Sequence, residues 1–484
     1  MPDFDLLLVL PVVCLATYGL LILLVEPWLR GANRTLGLVT LIGLGMTGYS
    51  LLRLWWIVAE SGPQETAFGL VRIDAFGLLF SFVLLGVAAL SVLVSVPFLE
   101  RESADVPEFY PLVLFCLAGM FLMLHTTHLL LVLVGLEVFS LSLYVTTGLT
   151  RRRERSIEAA LKYFLLGAFS SGFLAYGMAL LYGATGSLDL RRIGALASSA
   201  PSMLLWLGMG LVLVGLAFKI GAVPFHHWIP DVYQGAPTNV TGFMAAATKT
   251  ATFAVLLRLL FGAFGDAGDV WIPLVTVLAI VTMTVANLVA LAQTDLKRLL
   301  AFSSIAHAGY LLVALTCRPD DGIKAILFYL AVYGLMTVGA FTVLGAVGRG
   351  DAEGERGYTL DEWAGLGWRR PALAAAMTLF LLSLAGIPPT GGFLGKYVIF
   401  LAAVRAERWL LALVLALNAA IAAYYYLRIL VYMYMRPSAE EEPALPMSMA
   451  MTAVLIVAGA GVLYLGLAPG RLLDAVSGLA RSLL

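Results

Sequence analysis

The stretch LAFKIGAVPFHHWIPDVYQGAPT (residues 216–238) continues an apolar run, yet it carries Lys219, the adjacent pair His226 and His227, and a Gly/Pro interruption from Gly221 to Pro224. If the run lies in a bilayer, Lys219 at a helix centre costs roughly 2.5–3.5 kcal/mol of insertion free energy. Irregular backbone at that depth is tolerated only where protein or a water-filled cavity surrounds it. A cation followed by a helix break therefore marks an interior, functional place, provided the surrounding chain is a membrane protein.

Composition decides that point. Hydrophobic residues make up 61% of the 484 residues and charged ones only 12%, with a mean hydropathy of +0.95. A soluble domain of this length carries far more charge on its surface. The chain reads as an all-α polytopic membrane protein. Its formal net charge of zero gives no sign of a nucleic-acid partner. Cys14, Cys116 and Cys317 lie singly in apolar runs, which supports neither a disulfide framework nor an iron–sulfur or zinc site. The first apolar segment, about residues 6 to 25, follows MPDFD with no cationic leader and no small-residue cleavage site, so it is expected to be a retained helix.

A bilayer core of about 30 Å needs about 20 apolar residues per helix. Dividing the chain at its polar and Gly/Pro punctuation yields about fourteen such segments, centred near Leu15, Thr47, Gly86, Cys116, Val138, Phe169, Gly215, Thr250, Ile280, Tyr310, Gly334, Ala385, Ala419 and Val457. The intervening stretches are short, so residues 1–484 are expected to form a single membrane domain. With RRRER (151–155) on the cytoplasmic side, most loop Lys and Arg residues share that side and both termini are expected outside.

An internal repeat adds to this. Residues 161–186 and 323–348 align without gaps, matching Lys162 with Lys324, Gly177 with Gly339 and Gly186 with Gly348. The next span in each half is interrupted, by GAVP at 221–224 and by GIPPTGG at 386–392. Matching spans lie five apart, an odd number, which places the halves upside down relative to each other, as in transporters whose broken helices line a midplane site.

Of the six lysines, Lys162, Lys297 and Lys324 lie near span ends, where a long stem reaches the interface. Lys219, Lys249 and Lys396 lie within spans, as does Glu137, and the four together cost on the order of 10 kcal/mol. A buried Lys–Glu pair that only locks helices explains part of this, but three lysines against one glutamate do not pair off. An ammonium kept from water holds its proton less tightly, a property that proton transfer uses. Lys219, at the end of a half-helix, has Glu137 two spans earlier as its natural counter-charge, and the row is expected to run Glu137, Lys219, Lys249, Lys396. An early place in its half-helix disfavours the charged form of Lys396. His226 and His307 are candidate relays, His226 equally a packing residue, whereas His125 and His128 bracket a turn and read as interfacial. The histidines lack metal-ligand spacing. GLGMTG (43–48) satisfies GxGxxG but lies inside an apolar span, and no P-loop, flavin or haem pattern occurs, so no cofactor or metal is expected in the chain itself.

KIGAVPFHHWIPDVYQGAPTNVTGF (219–243), QTDLKRLLAFSSIAHAGYLL (293–312) and GIPPTGGFLGKYVIF (386–400) together resemble the antiporter-like membrane subunits of respiratory complex I, or NADH:quinone oxidoreductase, a family shared with multi-subunit cation/proton antiporters and membrane hydrogenases. The branch it looks most like is subunit N. Lys396 stands where the M type would carry glutamate, and no extension of the L type is expected after the last span. The resemblance implies fourteen transmembrane helices: three to about residue 107, inverted five-helix repeats over 108–265 and 270–435 with helices 7 and 12 broken, and a linker and last helix over 436–484. It implies a proton path through Glu137, Lys219, Lys249 and Lys396, outward pumping, and a bacterial plasma-membrane location. NADH, FMN, iron–sulfur clusters and quinone would belong to partner subunits, and the neighbours would be other antiporter-like and small membrane subunits and the peripheral redox arm. The alternatives are a subunit of a Na⁺/H⁺ antiporter or hydrogenase, and a structural scaffold.

Overall fold

The computed structural model describes residues 4–28, 33–101, 106–151, 153–199, 202–351, 354–437, 447–479 and 483. Arg152 of the RRRER run, residues 438–446 of the expected linker, and the first three and the last residue, which carry the termini, thus lie outside the described residues. The chain is helical almost throughout: α1 (Leu6–Val25), α2 (Asn33–Ser61), α3 (Ala75–Arg101), α4 (Phe109–Leu124), α5 (Leu129–Thr147) and α6 (Glu154–Thr185) come first. Then follow α7 (Leu190–Ser199), α8 (Met203–Ile220), α9 (Trp228–Gly235), α10 (Thr238–Leu257), α11 (Gly268–Leu291), α12 (Leu296–Leu315) and α13 (Pro319–Val347). The last are α14 (Leu366–Arg369), α15 (Pro371–Ala385), α16 (Gly391–Arg405), α17 (Trp409–Met435), α18 (Met449–Leu467) and α19 (Gly470–Val476).

Among the described residues, 12 helices are long and apolar enough to cross a membrane, and Phe109–Leu124 and Pro371–Ala385 are shorter apolar helices. The chain is a multi-pass membrane protein. Two short antiparallel hairpins, β1 (Gln64–Thr66) with β2 (Val71–Ile73) and β3 (Arg349–Asp351) with β4 (Gly354–Arg356), were not anticipated. Helix starts are capped locally: Asp295 accepts from Arg298 N at 2.8 Å, and Ser202 accepts from Leu205 N at 3.2 Å.

Both interruptions are real, and they close the preceding helix the same way. α8 ends at Gly221, with φ of 75°, where Ala222 N donates to Ala217 O at 2.9 Å. α15 ends at Gly386, with φ of 87°, where Ile387 N donates to Leu382 O at 2.9 Å. Each is a left-handed C-terminal closure that glycine permits without strain. The Val223–Pro224 and Pro388–Pro389 bonds in the two breaks are both cis.

α10 is buried along its whole length, and α12 and α13 nearly so, which puts these three at the centre. Helices approach closely where side chains are small. A Cβ on Gly177 of α6 would meet Val212 N of α8 at 2.7 Å, and one on its repeat counterpart Gly339 of α13 would run into the Phe380 ring of α15. Each aligned glycine thus seats the first half of a broken helix. The end of α10 is fixed by a buried ion pair absent from the expected charge list: Arg258 Nη2 lies 2.8 Å from Asp74 Oδ1, and Arg258 also donates to Leu124 O and Leu483 O. Asp74 in turn accepts from Gly77 N at 2.8 Å at the start of α3. His125 is not interfacial in the sense of being exposed; it is buried and shares a hydrogen bond of 2.9 Å with Ser81.

Candidate functional site

Lys219, Lys249 and Lys396 are 2%, 1% and 6% exposed, so all three ammonium groups must find partners inside the protein. Lys219 occupies the last turn of α8, just before Gly221. Its Nζ donates to Ser140 Oγ at 2.8 Å and to Tyr144 OH at 3.2 Å, both on α5. The rings of Phe139, Tyr144, Tyr163 and Phe218 stand 5.3–5.8 Å from it, and their faces favour a cation. Trp228 stacks on Tyr163 at 4.5 Å and donates its Nε1–H to Phe218 O at 2.9 Å, a second donor for a last-turn carbonyl that also accepts from Gly221 N.

The direct Glu137–Lys219 ion pair is absent. Glu137 lies on α5 three residues before Ser140 and seven before Tyr144, hence on one helix face with them. Glu137 Oε1 is buried without a hydrogen-bond partner, and the Ser140 hydroxyl that receives Lys219 itself donates to Leu136 O. Any influence of the carboxylate on the ammonium therefore acts through space and not along a hydrogen-bonded chain.

Lys249 projects from α10 onto α12, where its Nζ donates to Ser304 Oγ. Tyr333 OH donates to the same oxygen at 2.9 Å, and Tyr233 OH lies 3.4 Å from it. Three residues further along α12, His307 shares hydrogen bonds through Nδ1 with Tyr329 OH and through Nε2 with Tyr426 OH, the latter at 3.1 Å. Tyr426 also bonds Ser303 Oγ. His307 is thus one helical turn from Ser304, the partner of Lys249, and its ring is near that of Tyr310, over which the Lys396 ammonium sits.

Lys396 is on α16, six residues into the helix that Thr390 precedes, but its ammonium reaches back across the break. It donates to Leu384 O at 2.8 Å and Ala385 O at 2.9 Å, the free carbonyls at the end of α15. Its own half-helix was expected to disfavour the charge, but the ammonium is held at the negative end of the other half-helix. Tyr310 lies 5.1 Å below the ammonium, and its ring is 5.5 Å from His307.

His226 is buried in the turn after the first break, its Nδ1 has no hydrogen-bond partner, and its ring lies 4.5 Å from that of His227. It makes no hydrogen bond to Lys219. Missing from the expected set were Ser140, Tyr144, Ser304, Tyr233, Tyr333, Tyr329 and Tyr426. Two spacings point to them in part: Glu137/Ser140/Tyr144 and Ser303/Ser304/His307 each put polar groups on one face of an apolar helix.

Buried cations joined by hydroxyls and an imidazole, set at two broken helices in a multi-pass bundle, define an antiporter-type membrane subunit. A family model described as NADH:quinone oxidoreductase/Mrp antiporter, TM matches residues 126–422. NADH-quinone oxidoreductase subunit N of Trichlorobacter lovleyi is 43% identical over 96% of this chain and 95% of that protein. A chain of respiratory complex I from Thermus thermophilus superposes with a TM-score of 0.81 at 40% identity, covering 96% of this chain and 99% of that one. A chain of the Mrp complex from a Dietzia species shares the fold, with a TM-score of 0.84 at 23% identity over 98% of this chain and 97% of that one. The chain belongs to the NADH-quinone oxidoreductase subunit N family.

Proposed function

We propose that this chain moves protons outward across a bacterial plasma membrane as a subunit of NADH:quinone oxidoreductase, and that it does no redox chemistry itself. The observation that carries the reading is the buried string of titratable and hydroxyl groups around Lys249, Ser304 and His307, together with Lys396 at the second break. Each hydroxyl both donates and accepts, so it takes a proton on a lone pair and releases its own. Neutral His307 does the same between its two ring nitrogens, one a donor and the other an acceptor.

In this reading Glu137 sets how firmly Lys219 is held in its charged form, and Lys219 passes the change to Lys249. Lys249 hands a proton toward Ser304 and His307, and Lys396 delivers it at the second break, where the α15 carbonyls hold it until release. The matched closures at Gly221 and Gly386, and the matched contacts of Gly177 and Gly339, support inverted repeats over 108–265 and 270–435 within a fourteen-span plan. Quinone, NADH, FMN and iron–sulfur chemistry are assigned to partner subunits of the redox arm, with neighbouring antiporter-like and small membrane subunits beside this chain.

The test is proton uptake and NADH:quinone turnover in vesicles containing the assembled complex. Lys219→Ala and Glu137→Ala should each lower both while assembly persists. Normal pumping in both assembled variants would overturn the proposal.

A further inference from the structure

A cavity of about 380 Å³ opens where the turn after α12 meets the turn between α16 and α17, away from the lysine row. Arg318, Arg405 and Arg408 line it, with Glu407 as the one acidic lining residue and Thr316 among the polar ones. Three guanidinium groups outnumber the lining Glu407 and the adjacent Asp321 that pairs with Arg405, which leaves the wall cationic. The turn that gathers them is tightly closed: Arg408 N donates to Ala403 O at 2.8 Å, and Glu407 takes a φ of 60°, uncommon for a residue other than glycine.

The three arginines are unequally engaged. Arg405 Nη1 lies 3.2 Å from Asp321 Oδ1 in an exposed pair, and Arg408 Nε donates to Thr316 O at 3.4 Å. Arg318 is exposed, and no side-chain partner holds its guanidinium among the described residues. Cationic forks left with unused donors suit a phosphate oxygen pair, which guanidinium groups bind bidentately.

What lies beside the cavity chooses the form of phosphate. From its level, exposed apolar residues descend α11 at Val270, Leu274 and Val277 and α17 at Leu410, Leu413 and Leu417, each set on one face of its helix. A free anion has no use for those faces, whereas a lipid lays its acyl chains on them while its headgroup enters the cavity. We propose that this cavity binds the phosphodiester headgroup of an anionic phospholipid, with Arg318, Arg405 and Arg408 as its ligands. The site is separate from the proton route and stands whether or not that route is correct.

The experiment uses the purified full-length chain in nonionic detergent, offered equal amounts of phosphatidylglycerol and phosphatidylcholine with the same acyl chains, with retention read by native mass spectrometry. Phosphatidylglycerol should be retained in preference. Arg318→Gln should weaken that preference about fivefold, and Arg318→Gln with Arg408→Gln more. Because the Arg318 guanidinium makes no hydrogen bond or ion pair among the described residues, and its backbone contact to Gly322 N survives substitution, the single variant tests the site with little effect on the fold. Sodium phosphate alone should not displace the retained lipid. Equal retention of the two lipids by the unaltered chain, an unchanged preference in Arg318→Gln, or displacement by inorganic phosphate at matched concentration would overturn the proposal.

Discussion

Lys219 Nζ donates to Ser140 Oγ at 2.8 Å, and Ser140 stands one helical turn beyond Glu137 on α5. The serine hydroxyl donates to Leu136 O and offers its lone pair to the ammonium, so it fixes where Lys219 sits relative to the carboxylate on the same helix face. A hydrogen bond to an ionised group is worth about 1.5–3 kcal/mol, and removing it leaves the buried partner short. Ser140→Ala should slow proton pumping by roughly tenfold in assembled complex, and Ser140→Thr should recover most of it. Pumping per NADH oxidised, measured in vesicles, checks this; a scaffold role for the serine would lower assembly and leave the ratio alone.

Gly386 carries two burdens at once. Its φ of 87° suits glycine, and a Cβ there would meet Lys396 Cδ at 2.9 Å. Gly386→Ala should cost about 1–3 kcal/mol of stability from the backbone alone and push the lysine stem off its carbonyl partners. Thermal unfolding of the purified chain should show a lowered midpoint, and pumping should fall by more than the loss of folded protein explains.

The buried Arg258–Asp74 pair joins residues 184 apart in sequence and ties the end of α10 to the start of α3. Removing one partner strands the other, at about 3–5 kcal/mol. Asp74→Asn should sharply reduce the yield of folded protein. Asp74→Leu combined with Arg258→Met should be less damaging than either change alone, a comparison that detergent-solubilised yield and melting temperature read directly.

Acid should loosen one loop first. Burial pushes the Glu362 carboxyl up, but hydrogen bonds from the Thr359 hydroxyl and from the Thr359 and Gly357 amides, at 2.6–2.9 Å, outweigh it and hold the group below the usual carboxylate range. A carboxyl whose value is lowered by folding stabilises the folded loop above the unfolded value, about 4.3, and loses that contribution as pH falls through the folded one. Hydrogen exchange at Gly357 and Thr359, corrected for intrinsic rate, should lose protection below about pH 4. Glu362→Gln should show weaker protection at neutral pH and little further change on acidification.

The site was legible in the sequence where an unlikely residue stood in an unlikely solvent. Glu137, Lys219, Lys249 and Lys396 stand out because charge in an apolar run is costly, and both breaks because Gly and Pro interrupt helices. The hydroxyl partners were legible only in part, through their spacing from Glu137 and His307. Serine and threonine in membrane helices commonly satisfy themselves on a carbonyl one turn back, as Thr248 does on Met244 O, so their presence alone signals nothing. Tyr426 meets His307 across 119 residues of chain, a contact that only the packing of α17 against α12 creates. Lys396 illustrates the same limit: its position in α16 was readable, but the carbonyls that hold it belong to α15.

The most direct test of the account is the proton-to-NADH ratio of the assembled complex carrying Lys249→Met, reconstituted in sealed vesicles beside the unaltered complex. Methionine keeps the stem in the fully buried α10 and removes the group that Ser304 receives. The account predicts normal assembly with proton transfer and coupled turnover both reduced severalfold. An assembled variant that pumps at the unaltered ratio and rate would contradict it.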